Sequence, residues 1–275
     1  VTMIIGRRGL IGTAAALAVA PAAAATTFAA PADKLRALML MRGALDDRLV
    51  IYWLRGRYFG LVDGEVKPLF GVVNACFSRY RAHPDGGFIG ARGEVSHYTD
   101  FDTGEVVGSV RNPYDGRIME PPPRGYPPSP VRIEADSSIS IKEMPGMEFA
   151  NAIHDIEVTG DDARMFERNA SKVPLPGGKA SLYNEMVTYR ARVADLRKPG
   201  ANRVPCDINF TNTVSWRSWM GMADHPGHML AVGSGAFVAR VADLPAAWLK
   251  ATAATQPELL GNPQAFLDPV WKTIA

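Results

Sequence analysis

The sequence predicts a mainly β protein, a single-domain antiparallel β-barrel or strongly curved sheet with a few peripheral helices. Three observations predict it. From about Leu49, short β-rich runs are cut by Gly-centred turns at Val62-Asp63-Gly64-Glu65, Pro84-Asp85-Gly86-Gly87, Asp102-Thr103-Gly104-Glu105 and Tyr114-Asp115-Gly116-Arg117, the pattern of successive hairpins. The helix–strand alternation of a parallel α/β protein is absent. Several runs alternate apolar and polar residues at period two, as a strand with one covered face does.

The elements follow in order. Gly6-Arg7-Arg8-Gly9-Leu10-Ile11 leads into an uncharged Ala/Leu/Val/Gly stretch to Ala25, which reads as a twin-arginine signal peptide over residues 1–25 with small residues at its cleavage site. The competing reading is a membrane anchor, but the stretch is short and mostly Ala, which inserts weakly. Export to the periplasm or beyond follows, with the twin-arginine machinery as a partner and no stable membrane insertion after cleavage. Residues 26–275 then form one β-rich domain. Pro31-Ala32-Asp33 opens a first helix with Leu35, Leu38 and Met39 on one side. The hairpins come next. Pro121-Pro122-Pro123 through Pro127-Pro128-Ser129-Pro130 reads as a Pro-rich crossing loop or lid over 121–130, since proline withholds the ladder donor. Strands resume at Val131, and a helical tail follows Leu244-Pro245 with Trp248, Leu249 and Leu260 as anchors.

Strand parity nominates a site. In 206–217 the apolar column Cys206, Ile208, Phe210, Val214, Trp216 is interrupted by Asn212, and in 183–193 the column Tyr183, Val187, Tyr189, Ala191, Val193 is interrupted by Glu185. The same reading sets His154 beside Ala152, Ile156 and Val158, His97 beside Ile89, Ala91 and Val95, and Asn112 beside Val106 and Val110. Segment 131–141 carries Val131, Ile133, Ala135, Ile139 and Ile141 inward with no titratable intruder. A closed sheet would gather these columns in one lumen. The catalytic candidates are therefore His97, His154, Glu185 and Asn212, and the substrate-binding candidates Trp53, Asn112, Tyr189, Trp216, Trp219 and His228. Imidazoles and a carboxylate in an apolar lumen suit general acid–base work, and amides suit an oxyanion. Each residue taken alone also reads as a core polar group satisfied by backbone or water, and Trp216 and Trp219 read equally as a hydrophobic plug at a barrel end.

Composition limits the rest. The chain of 275 residues has 30 Lys+Arg against 28 Asp+Glu, and Arg7 and Arg8 account for the whole excess. A mature chain of net charge near zero has no electrostatic case for nucleic acid or an anionic membrane. There is no nucleophile elbow, no P-loop and no dinucleotide fingerprint, so no cofactor is expected. His225 and His228 suggest a metal, but Pro226-Gly227 makes a turn between them and other ligands would have to come from His97, His154 or Asp224. Cys76 and Cys206 lie in apolar strand positions and read either as an exported disulfide or as two buried thiols.

Arg42-Gly43, Pro68-Leu69-Phe70-Gly71, Asp102-Thr103-Gly104-Glu105, Asn112-Pro113-Tyr114 with Gly116, and Asn212-Thr213-Val214-Ser215-Trp216 followed by Trp219, Met220-Gly221 and Pro226-Gly227-His228 resemble the bacterial and fungal family catalogued as domain of unknown function 1838. The resemblance runs over about residues 34 to 260 and implies one coherent domain of a family whose members often look exported. It adds weight to Asn112, Asn212, Trp216, Trp219 and His228 and implies no activity. Asp115 stands where Thr is usual in that family's turn, a change a β-turn tolerates. The leading functional expectation is a cofactor-independent lyase or isomerase acting on a small apolar or aromatic molecule. The alternatives are a periplasmic carrier of an apolar ligand and, more weakly, a metal-dependent hydrolase.

Overall fold

The computed structural model describes residues 28, 30–141 and 146–274. The twin-arginine segment lies outside the described residues. Among them the strands are β1 (Val50–Val62), β2 (Glu65–Ala82), β3 (Phe88–Thr99), β4 (Val110–Arg111), β5 (Ile118–Met119), β6 (Arg124–Ile133), β7 (Ile139–Ile141), β8 (Glu148–Ile153), β9 (Glu157–Thr159), β10 (Asp162–Pro174), β11 (Ala180–Arg192), β12 (Asp207–Val214) and β13 (His228–Val238). The helices are α1 (Pro31–Arg42), α2 (Val193–Arg197), α3 (Ala246–Thr255), α4 (Pro257–Gly261) and α5 (Pro263–Trp271).

One antiparallel sheet runs in the order β7-β6-β3-β2-β1-β13-β12-β11-β10-β8 and curls until its two end strands meet as a nearly closed barrel. At the seam the Ile139 amide of β7 donates to Asn151 Oδ1 of β8 at 3.2 Å. The four predicted Gly turns are present, with positive φ at Gly64, Gly86, Gly87, Gly104 and Gly116, a backbone conformation that residues with a Cβ rarely adopt. Asp63 shares that conformation at φ 50, so β1 and β2 join through a two-residue turn whose twist matches the strands.

Curvature needs room on the inside. Gly56 and Gly233 face each other across β1 and β13, and the Phe210 ring fills the dent they leave: a Cβ would stand 2.8 Å from it at Gly56 and 2.5 Å at Gly233. One mouth is stoppered by α1, whose residues from Ala37 to Arg42 are all buried. Arg36 Nη1 ties the helix to the Leu196 carbonyl at 2.7 Å, and Lys34 Nζ to the Ile153 carbonyl at 3.1 Å. The tail helices α3 to α5 pack outside, where Trp248 is fully buried and donates Nε1 to the Val95 carbonyl at 2.8 Å.

Two expectations are corrected here. Residues 124–130 are not a loop but the first part of β6, paired to β3 from Ser96↔Arg124 to Ala91↔Pro130. Proline is accommodated because, among the described residues, β7 pairs with 131–133 alone, and because Pro127 and Pro128 fall in the bulge between the Arg92 and Glu94 pairings. Segment 131–141 is two strands, with Ala135 exposed in the intervening turn rather than inward. Cys76 and Cys206 are separate buried thiols, both pushed up to about 12 by burial.

Candidate functional site

The barrel encloses a cavity of about 360 Å³, within the size range of small-molecule sites. Alternation along each strand decides what faces it. Tyr52, Leu54 and Tyr58 come from β1, Val72 and Asn74 from β2, Arg92 and Glu94 from β3, Glu167 and Asn169 from β10, the odd residues 181 to 189 of β11, and Ile208, Phe210 and Asn212 from β12. The cavity reaches the seam, where Tyr126 and Ser129 of β6 and Phe149 of β8 line it and Tyr126 is 53% exposed.

Glu167 and Glu185 each centre a polar group in this lining. Toward α1, the helix's last residue Arg42 reaches across and donates Nε and Nη2 to Glu167 at 3.0 and 3.2 Å, and Nη1 to Tyr80 Oη at 3.1 Å. Glu167 also accepts from Tyr189 Oη at 3.1 Å and Asn169 Nδ2 at 3.1 Å. Burial pushes the Glu167 carboxyl up, but the Arg42 charge and hydrogen bonds outweigh it and hold it below the ordinary value. This pair is occupied with itself.

The second group lies further along β11 and β12. Glu185 stands opposite Asn212 on one side and Asn169 on the other, and its Oε1 accepts from Tyr183 Oη at 2.6 Å. Here burial wins: the Glu185 carboxyl is raised above the ordinary value despite the Tyr183 hydrogen bond. The Tyr183 phenol is pushed well up by burial first and by the Glu185 charge second. Asn212 is 2% exposed, donates Nδ2 to Tyr183 Oη at 3.4 Å, and leaves Oδ1 buried without a partner among the described residues. A carboxyl of raised proton affinity beside an unsatisfied amide is equipped to exchange a proton with a bound molecule.

Of the sequence candidates, Glu185, Asn212 and Tyr189 are brought together in this lining. The others are not. His97 faces out of the barrel, accepting or donating at 2.9 Å with Thr252 Oγ1 of α3, and burial lowers its basicity. Trp53 is on the same outer side, packed with Ile51, Val73 and Leu244 beneath the tail helices. His154 lies past the end of β8 and is exposed, because the chain leaves its strand path between β8 and β9. Asn112 is buried but turned on its own loop, accepting from the Tyr114 amide at 3.0 Å. Trp216 and Trp219 close the end opposite α1. Trp216 packs edge-on to Tyr114 at 5.6 Å, and Trp219 meets Phe70 at 5.5 Å and Tyr98 at 5.4 Å. They form a plug, and His228 opens β13 opposite Leu61 outside the cavity. Among the described residues no group of three or more His, Cys, Asp or Glu side chains is placed to hold a metal ion.

Sequence reasoning missed Arg42, Glu167, Arg92 and Glu94. Glu167 had a readable signal, since β10 alternates Ala163, Met165, Glu167 against Arg164, Phe166, Arg168 with a charged intruder on the buried side. Arg42 had none, because its partner is 125 positions away.

No curated protein and no solved structure matches the chain. A family model does, over the part of the chain that contains Asn212, Trp216, Trp219 and His228 but not Asn112. Residues 177–273 match the family described as protein of unknown function (DUF1838), the one that the sequence motifs resemble.

Proposed function

We propose that the barrel binds a small, largely apolar molecule in its cavity and acts on it as a cofactor-independent lyase or isomerase, with Glu185 as general base and acid. The observation that carries this reading is the Glu185, Tyr183 and Asn212 group, turned into the cavity with a raised carboxyl and an unpartnered amide oxygen. A base is most effective when its proton affinity lies near the working pH, and desolvation moves Glu185 in that direction. Glu185 would take a proton from carbon beside a carbonyl, and the electron pair would move to the carbonyl oxygen, steadied by the Asn212 Nδ2 hydrogen that Tyr183 Oη does not engage. The same carboxyl would return the proton at a neighbouring carbon, or a leaving group would depart with the electron pair. His97, His154 and Asn112 have no part in this scheme, since they lie away from the cavity.

Incubation in D2O with a panel of small enones and aryl ketones tests it, with deuterium entering carbon followed by mass spectrometry. The wild type is expected to incorporate deuterium and Glu185→Gln to do so at least ~100-fold more slowly while still binding. Equal rates in the two proteins overturn the assignment. The carrier reading is favoured by a separate observation, the placing of both candidate imidazoles outside the lumen. Binding with no exchange in the wild type would select it. In either reading the twin-arginine segment directs the protein to the periplasm or out of the cell.

A further inference from the structure

Of the three guanidinium groups in the cavity lining, two make no ion pair among the described residues. Arg42 is paired to Glu167. Arg92, in the same lining, donates Nη2 to the neutral Tyr52 Oη at 2.9 Å, and among the described residues no carboxylate lies within ion-pair distance of it. The neighbouring Glu94 is turned elsewhere, accepting from Ser96 Oγ at 2.6 Å and from Cys76 Sγ at 3.6 Å. Arg217, just past β12, also lines the cavity, and its Nη2 is buried with no hydrogen-bond partner among the described residues. A buried guanidinium N–H left without an acceptor, as at Arg217 Nη2, is costly and marks a place where an acceptor arrives from outside.

We propose that the cavity is built for an organic acid, a molecule whose carboxylate binds Arg92 and whose apolar body lies against Val72, Val131, Ile139 and Phe210, with Arg217 adding a second positive charge to the same lining. This rests on the reading of the barrel as a small-molecule site and names the class of molecule. Arg recognises a carboxylate with two parallel hydrogen bonds, and in a lining screened from water such bonds are stronger than neutral ones. The unpartnered Asn212 Oδ1 then accepts from a hydroxyl elsewhere on the ligand.

The test uses matched pairs on the full chain: octanoate and 3-phenylpropionate against octanamide and 3-phenylpropanamide, by titration calorimetry at neutral pH and low salt. The acids are expected to bind at least ~10-fold more tightly than the amides. Arg92→Met should bring the acids down to the level of the amides, Arg92→Lys should restore part of the difference, and Arg217→Gln should weaken acids alone. Amides that bind as tightly as acids, or an acid preference that survives both Arg92→Met and Arg217→Gln, would overturn the organic-acid inference while leaving the cavity a binding site. Binding of no acid and no amide would sink the small-molecule reading and this inference with it. The wild-type comparison stands alone if Arg92→Met does not fold.

Discussion

Replacing Glu167 by Gln isolates the charge at the α1 end of the barrel without changing side-chain shape. The Glu167 and Arg42 side chains are 1% and 9% exposed, so loss of the carboxylate leaves a guanidinium buried with no countercharge. Gln must also turn its amide NH2 toward Arg42 Nε or Nη2, placing donor against donor where bonds of 3.0 and 3.2 Å stood. Breaking one side of such a pair costs ~3–5 kcal/mol, on the order of 10 °C in Tm for a chain of this size class. Urea and thermal denaturation would measure it. Arg42→Met with Glu167→Leu should recover most of the loss, because the apolar pair removes the desolvation cost along with the attraction. The sign with pH is fixed by the depressed Glu167 carboxyl. Its contribution is complete above the ordinary carboxylate value of ~4.3 and is lost as pH falls through the folded value, so the wild type should fall off more steeply in acid than Glu167→Gln. A single substitution costing under ~1 kcal/mol, or a double variant no better than the single, would refute the account of a buried, mutually dependent pair.

Glu185→Gln should behave in the opposite way. With its folded carboxyl raised by burial, ionised Glu185 destabilises the fold, so the Gln variant should have the higher Tm at pH 8 and the difference should vanish below about pH 4. His97→Gln should leave ligand binding unchanged in calorimetry. It should also flatten the loss of stability below about pH 6.5 that the lowered basicity of His97 produces, since the unfolded chain takes up that proton more readily. Gly233→Ala places a methyl 2.3 Å from the Arg55 carbonyl oxygen, and that oxygen is fixed by backbone. A loss of at least ~2 kcal/mol in urea denaturation is expected, whereas a neutral result would show that β1 and β13 can separate freely.

Parity along a strand tells which residues share a face, and the face has still to be matched to the lumen. On β11 and β12 the outer face meets solvent, so the apolar column is the inner one, and Glu185, Tyr189 and Asn212 were legible as inward residues. On β3 both faces are covered. Its odd column, Ala91, Val95 and His97, is apolar because α3 to α5 pack against it, while its even column carries Arg92, Glu94 and Ser96 because it lines a polar cavity. Choosing the more apolar column as the inside therefore inverts the strand, taking His97 into the lumen and leaving Arg92 out. Trp53 on β1 was misplaced by the same helices. The turns, α1 and the helical tail were legible because Gly, Asp and Pro act through local backbone sterics, which need no knowledge of the opposite wall.

The prolines of β6 show how a correct local rule can yield a wrong element. Proline cannot donate to a ladder, yet a strand needs donors only on the side that has a neighbour. Among the described residues Pro130 pairs on its β3 side only, and Pro127 and Pro128 occupy a bulge opposite Gly93. A strand edge invites pairing by a further strand or by another chain, and prolines at 127, 128 and 130 withhold three ladder donors from that edge. Beside them Tyr126 and Ser129 line the cavity together with Phe149 of β8. In this barrel the sequence feature least compatible with a sheet interior therefore lies next to residues that line the cavity.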